Sequence, residues 1–184
     1  MKTRNLVALT VCLISFAAVA HAQEVNKKED AMRDCPMHKE HMTADSHQGV
    51  VEKHGDQAMG FSHDKTTHHF LMFPDGGAIE IKANDADDKA STDAIRSHLS
   101  HAAMMFANGD FSMPMFIHDG VPPGVTTMKL LKAKIHYKYE EVSSGGRVRI
   151  ESSDPVSVAA IHDFLRFQIS EHHTGDALQI ADSH

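Results

Sequence analysis

Two stretches of the chain follow the same plan, and this repeat constrains the fold more than any other feature. In the first, residues 66–73 are rich in β-forming side chains, Pro-Asp-Gly-Gly follows as a turn signal, and residues 78–82 alternate apolar and polar. In the second, residues 135–142 and 147–151 flank Ser-Ser-Gly-Gly in the same way. Helical patterns follow at 93–107 and 155–172. The hairpins superpose at an offset of 69 and the helices at an offset of 66, with these matched pairs: Gly76 and Gly145, Gly77 and Gly146, Ile81 and Ile150, Ala94 and Ala160, Ile95 and Ile161, Leu99 and Leu165, Gly109 and Gly175, Asp110 and Asp176.

This repeat predicts a duplicated ββα unit, with halves at about 66–110 and 135–176. One hairpin alone is marginally stable in water, so we expect the two to form a four-stranded antiparallel sheet. Both helices would pack on one face of it. Glu80, Lys82, Arg147, Arg149 and Glu151 would then lie on the other, wet face. The predicted fold class is α+β.

The start of the chain indicates export. Residues 1–22 combine a basic beginning, an apolar run at 6–20 and Ala20-His21-Ala22, which is typical of a cleaved signal peptide. We therefore predict a periplasmic or secreted protein without membrane insertion after cleavage, because the apolar run is too short to span a bilayer. Residues 23–60 have little apolar periodicity and are predicted to be a flexible tail. Residues 61–184 are predicted to be a single domain.

The composition excludes one class of partner and suggests another. Eighteen basic residues against 25 acidic ones, a formal net charge of −7, argue against nucleic acid. The chain has 16 histidines and 11 methionines but no tryptophan. Imidazole and thioether together are the ligand set of copper, with the thioether favouring the reduced ion.

The first-half helix carries a histidine stripe beside its core stripe. His98, His101 and Met105 follow one another at i, i+3 and i+7, so one edge of the helix should present all three. The offset of 66 aligns His98 with Phe164 and His101 with Phe167, so both positions should face an enclosed space. Burying two imidazoles costs stability unless each is ligated or hydrogen-bonded. We favour ligation; core histidines that donate to backbone carbonyls are the alternative.

We predict a metal site built from His98, His101 and His118, with Met115 or one of His68 and His69 as a fourth ligand. Strand alternation sends His68 and His69 to opposite faces of the sheet without deciding which faces the helices. Met105 and His63 are further candidate ligands. The thioethers favour copper over zinc or another divalent metal ion.

A second cluster of metal-binding residue types lies in the predicted tail. It consists of Cys35, Met37, His38, His41 and Met42. Its CPMH string resembles the short heavy-metal-binding motif of some copper-transporting ATPases and copper-efflux components. That resemblance implies that the tail captures or passes on a metal ion, while a solvated tail with incidental histidines is the alternative.

A longer pattern, SHDKTTHHF, PDGGAIEI, IRSHLSH, MFIHDG, GGRVRI and FLRFQISEH, resembles a family of uncharacterised secreted bacterial proteins. The resemblance covers about residues 62–176 and leaves out the CPMH tail. It implies the limits of the folded unit and no particular reaction.

These observations predict a metal-binding protein that sequesters, delivers or confers resistance to copper, with a metal-transport or efflux protein as a further partner. A metal-dependent hydrolase or redox enzyme with the same histidines is one alternative. A non-metal interaction module, which would bind a partner through the open face of the sheet, is another. The chain contains no H-E-x-x-H, G-x-S-x-G, P-loop or dinucleotide motif.

Overall fold

The computed structural model describes the backbone of residues 36–180 and the side chains of residues 47–180. The chain divides into two compact units, Met1–Ser46 and His47–His184, and the account below concerns the second. The helices are α1 (Pro36–Met59), α2 (Lys89–Ala107), α3 (Ser112–Ile117), α4 (Val125–Leu130) and α5 (Pro155–Glu171). The strands are β1 (Thr66–Phe73), β2 (Gly76–Ala83), β3 (His136–Val142) and β4 (Gly145–Glu151).

The sheet has four antiparallel strands in the order β1-β2-β4-β3, which confirms the predicted α+β fold. Its two hairpins join through their second strands, where Ile79 lies opposite Val148. Phe70, Ile79, Val148 and Ile150 are buried on the face that the helices cover. Alternating side chains place the charged residues on the opposite face, as expected.

The helices exchange hairpins. Helix α2 packs mainly on β4 and β3 of the second half, and α5 packs on β1 and β2 of the first. The glycine pairs permit this close approach: a Cβ on Gly77 would lie 2.2 Å from Leu165 Cδ1, and a Cβ on Gly146 would lie 3.2 Å from Leu99 Cδ1. Each half therefore completes the core of the other.

The open face of the sheet is not uniformly wet. Glu80 is only 4% exposed because Arg147 and Lys82 cover its carboxylate, with 2.5 Å between Lys82 Nζ and Glu80 Oε1. Burial alone would raise the pKa of Glu80, but the hydrogen bonds from Lys82 and Arg147 hold it below its usual value.

The structure differs locally from the sequence prediction. Residues 36–59 form helix α1, where the sequence predicted a flexible tail. In the part of this helix whose side chains are described, Val51 and Gly55 are buried and Met59 is half-buried, at i, i+4 and i+8, while Val50 is exposed, so the apolar periodicity is weak.

The helix of the first half begins earlier than its sequence pattern, and a short helix follows it. Helix α2 begins at Lys89 rather than at residue 93, because the Asp88 side chain accepts the Ser91 N–H at 3.0 Å. Residues 112–117 form helix α3. Among the helices of the described part of the chain, none is long and apolar enough to cross a membrane.

Candidate metal centre

A cavity of about 60 Å³ lies between β1, β2, α2, α3 and α5. Its wall is mostly apolar, which makes its few polar and sulfur-bearing groups conspicuous. These are three imidazoles, two thioethers and one amide: His68, His98, His172, Met59, Met113 and Gln168.

His68, not His69, is the strand histidine that faces this cavity. It lies opposite Ile81 and shares the helix-covered face with Phe70 and Met72. Its Nε2 is 3.2 Å from the Met59 sulfur. His69 lies on the other face, where its Nδ1 is 2.9 Å from the Asp176 carboxylate.

Of the predicted stripe of His98, His101 and Met105 on helix α2, only His98 faces this cavity. His98 lines it and packs edge-on against Phe61, with ring centroids 5.6 Å apart. His101 is exposed and lies outside the cavity wall, as does the half-buried Met105. Three residues along a helix leave a rotation of about 60° between side chains, enough to turn His101 away from the core.

His118 lies behind the cavity wall. It caps the C-terminal end of α3, is 7% exposed, and contacts His172 edge-on at 5.1 Å between centroids. Its Nε2 is 3.1 Å from Gln168 Oε1. The neighbouring thioether in the cavity wall belongs to Met113, while Met115 is half-buried elsewhere.

A second, more polar cavity of about 220 Å³ adjoins the first. Met59, His68 and His172 line both cavities. His63 lines only the larger one, and its Nδ1 is 3.0 Å from Asp56 Oδ1. This hydrogen bond raises the pKa of His63 against the smaller opposing effect of burial.

Sequence reasoning missed His172, Met59 and Gln168. A signal for two of them was present, because Ile161, Leu165, Gln168 and His172 continue one core stripe at helical spacing along α5. The ring of His172 lies parallel to that of His68, with 6.1 Å between centroids and 3° between planes. Met59 had no comparable signal, since it belongs to the segment predicted as a tail.

Burial keeps these imidazoles neutral. Burial, together with smaller effects of neighbouring imidazoles, lowers the pKa of His68 to about 4 and that of His98 to about 4. Burial, with His118 and His68 close by, lowers the pKa of His172 to about 3. A neutral imidazole keeps a lone pair for a metal ion, so all three remain ligand-competent well below pH 7.

The donor set fits copper better than a closed zinc site. Among the residues that the structure describes, no group of three or more His, Cys, Asp or Glu side chains is arranged to hold a metal ion together. A structural zinc site needs four such ligands in a tetrahedron. The close pair of donors here is one imidazole and one thioether, His68 and Met59, and a thioether selects copper(I).

The candidate ligands of the tail cannot be placed in the same way. Cys35 lies outside the described residues, and the same holds for the side chains of Met37, His38, His41 and Met42. Comparisons with protein-family models, with curated proteins and with solved structures found no match to this chain.

Proposed function

We propose that this protein is an exported copper-binding protein that holds the ion in the smaller cavity, between the sheet and helices α2, α3 and α5. Its role would be sequestration, delivery or resistance, with a transport or efflux protein as the partner that supplies or receives the ion. The close pair of His68 and Met59 would supply the first nitrogen and sulfur ligands. His98, His172 and Met113, which line the same cavity, would shift toward the ion to complete the site. The CPMH segment would capture or pass on the ion outside this site.

The observation that carries the proposal is the convergence of these groups from five different elements on one small cavity. His68 comes from β1, His98 from α2, His172 from the end of α5, and the two methionines from α1 and the start of α3. Buried imidazoles need a partner to offset their desolvation. A packing role alone would be met more cheaply by apolar side chains of similar size.

Metal titration of purified variants tests the proposal, and the chain supplies its own matched controls. The protein is titrated with copper(I), copper(II) and zinc, with elemental analysis and a thermal melt at each ratio. We expect a copper ion that raises the melting temperature by mass action. Affinity should fall at least about tenfold in His68→Ala, His98→Ala and His172→Ala. His69→Ala and His101→Ala, which alter the next residue on β1 and the exposed histidine of α2, should bind as the unaltered protein does.

Two outcomes would contradict a folded copper site. Binding that survives His68→Ala and His98→Ala but disappears in Cys35→Ser/His38→Ala/His41→Ala would confine the metal to the CPMH segment. Equal, weak affinity in every variant would leave the cavity histidines structural and favour the interaction module.

A further inference from the structure

One polar group in the cavity wall has no partner. Gln168 is 4% exposed, and its side chain lines the cavity between the helices. With the amide oriented as in the structure, its Oε1 accepts from His118 Nε2–H at 3.1 Å. Its Nε2 is buried without any hydrogen-bond partner. An unpaired buried donor costs about 1–3 kcal/mol, so its retention in an otherwise apolar wall calls for a function.

The orientation of Gln168 depends on its contact with His118. His118 packs edge-on against Phe167 with 4.9 Å between centroids, and its Nδ1, 3.7 Å from Glu171 Oε2, is buried without a hydrogen-bond partner. The amide therefore cannot turn away to bond elsewhere without breaking its contact with His118. Its free N–H₂ is a preorganised donor beside His172, one turn further along α5.

The cavity also has room for more than an ion. Its volume of about 60 Å³ exceeds the ~10–15 Å³ that a single buried water needs. A metal ion together with a ligand of a few atoms fits such a space. Among the described residues that line this cavity, Gln168 supplies the one amide, so its N–H₂ is the donor that can recognise an electron-rich ligand there.

We propose that the cavity binds a small electron-rich ligand, an anion of a few atoms or a diatomic molecule, to the metal ion, with Gln168 as its hydrogen-bond donor. This inference rests on the proposed copper site and deepens it. The ion would keep an open coordination position toward the amide, as in metal sites that exchange a ligand, rather than being closed off by protein ligands. Gln168 then positions and selects the ligand without touching the metal.

Azide is the probe, because it is a small anion that binds copper(II) with a visible charge-transfer band. The full chain is loaded with copper(II), or with cobalt(II) where only reduced copper is retained, and titrated with azide. Gln168→Glu is the informative variant, since it keeps the oxygen acceptor for His118 and removes the amide donor. Gln168→Leu removes both, and Gln48→Glu alters a glutamine outside the smaller cavity.

We expect azide affinity to fall by about tenfold or more in Gln168→Glu and Gln168→Leu and to remain unchanged in Gln48→Glu. Metal stoichiometry should stay the same in all four proteins. Unchanged azide affinity in both Gln168 variants, or no azide binding to the metal-loaded protein, would overturn this inference while leaving the copper site intact. A protein that takes up no metal would instead refute the proposed function itself.

Discussion

The two ends of the space beneath the helices are built from equivalent positions but filled differently. The hairpin offset of 69 pairs His68 with Tyr137, and the helix offset of 66 pairs His172 with Phe106. Because each helix packs on the hairpin of the other half, a helix residue contacts a strand residue at each end. His172 contacts His68 with 6.1 Å between ring centroids, and Phe106 contacts Tyr137 with 5.9 Å. One end is aromatic, and the other has imidazoles in the same places.

The two ends border the cavities differently. Phe106 at the aromatic end lines only the smaller cavity, whereas His68 and His172 line both. Phe106 also stacks on Phe111 at 4.8 Å and meets Phe164 edge-on, and Phe111 and Phe164 are almost fully buried. The same backbone plan therefore accepts aromatic side chains at these positions, so the histidines are not required by the fold. Because the histidines occur at one of the two equivalent ends and not at the other, a role in ligand binding is supported.

The most direct test replaces the two histidines by the residues at the equivalent positions of the aromatic end. His68→Tyr/His172→Phe should lower copper affinity at least about 100-fold, because two ligands are removed. The free energy of unfolding of the metal-free protein should stay within about 1.5 kcal/mol of the original, since both larger rings border cavities that can take up the added volume. Copper titration and urea denaturation measure the two quantities. Tight copper binding by the swapped protein would place the ligands elsewhere.

The buried histidines should also determine how the free energy of unfolding changes with pH. His68, His98 and His172 have pKa values of about 4, 4 and 3 in the folded protein, below the ordinary 6.5. Above pH 6.5 they are neutral in both states and contribute no pH dependence. As the pH falls below 6.5, these histidines bind protons in the unfolded chain but stay neutral in the folded protein, so the free energy of unfolding decreases. Below about pH 4 the folded protein also begins to bind protons at these sites.

We expect the metal-free protein to lose on the order of 5 kcal/mol between pH 7 and pH 5, summed over the three imidazoles. Denaturation curves at several pH values, with a chelator present, provide the test. The His68→Tyr/His172→Phe protein is the control and should show a much flatter profile. An equally steep profile in both proteins would assign the acid sensitivity to other groups.

His162 offers a contrast within helix α5 itself. It is 6% exposed, and its Nε2–H donates to the carbonyl oxygens of Phe73 and Gly76 at 2.9 and 3.0 Å. His162→Ala should therefore lower the free energy of unfolding by about 3 kcal/mol while copper affinity is unchanged. Urea denaturation and copper titration on the same preparation would show this. Loss of copper with stability intact would make His162 a ligand instead of a structural residue.

The smallest expected effect concerns the two Gly-Asp pairs that follow the helices. Asp176 accepts hydrogen bonds from the Phe70 N–H at 2.8 Å, from His69 and from the Thr174 hydroxyl, so it fixes the outer strand of the histidine half. Asp110, at the equivalent position, accepts only locally from the Ser112 N–H. Asp176→Asn should cost about 1 kcal/mol of unfolding free energy, and Asp110→Asn distinctly less. Equal thermal melts for the two variants would contradict this assignment.

The sequence predicted the fold well because the repeat carries strong, local signals. Alternating strands, Gly-Gly turns and a shared helix stripe placed four strands and two helices, and the glycines proved to be the contact points of the exchanged helices. Helix α1 escaped prediction because its stability comes from contacts of Val51 and Met59 with the rest of the unit. Such tertiary contacts leave almost no periodic pattern.

The candidate site was predicted only in part, for two physical reasons. Strand alternation gives two faces without naming the buried one, so only the structure could separate His68 from His69. Helical spacing groups neighbours within one helix, so it joined His101 to His98 but could not join His172 to His68 across the exchanged layers. The ligand assignments of His98, His118, Met115 and the CPMH segment stay predictions, to be decided by metal titration.

The exchange of helices between the halves also sets an order of events. His68 and His98 are synthesised early, but the helix that lies over β1 and carries Gln168 and His172 comes near the end of the described chain. The cavity therefore does not exist until the last element has docked, and an incomplete chain offers its histidines only as separate, solvated side chains. A metal ion bound there would require that helix α5 has docked on the first hairpin, and detachment of that one helix would open the cavity to solvent.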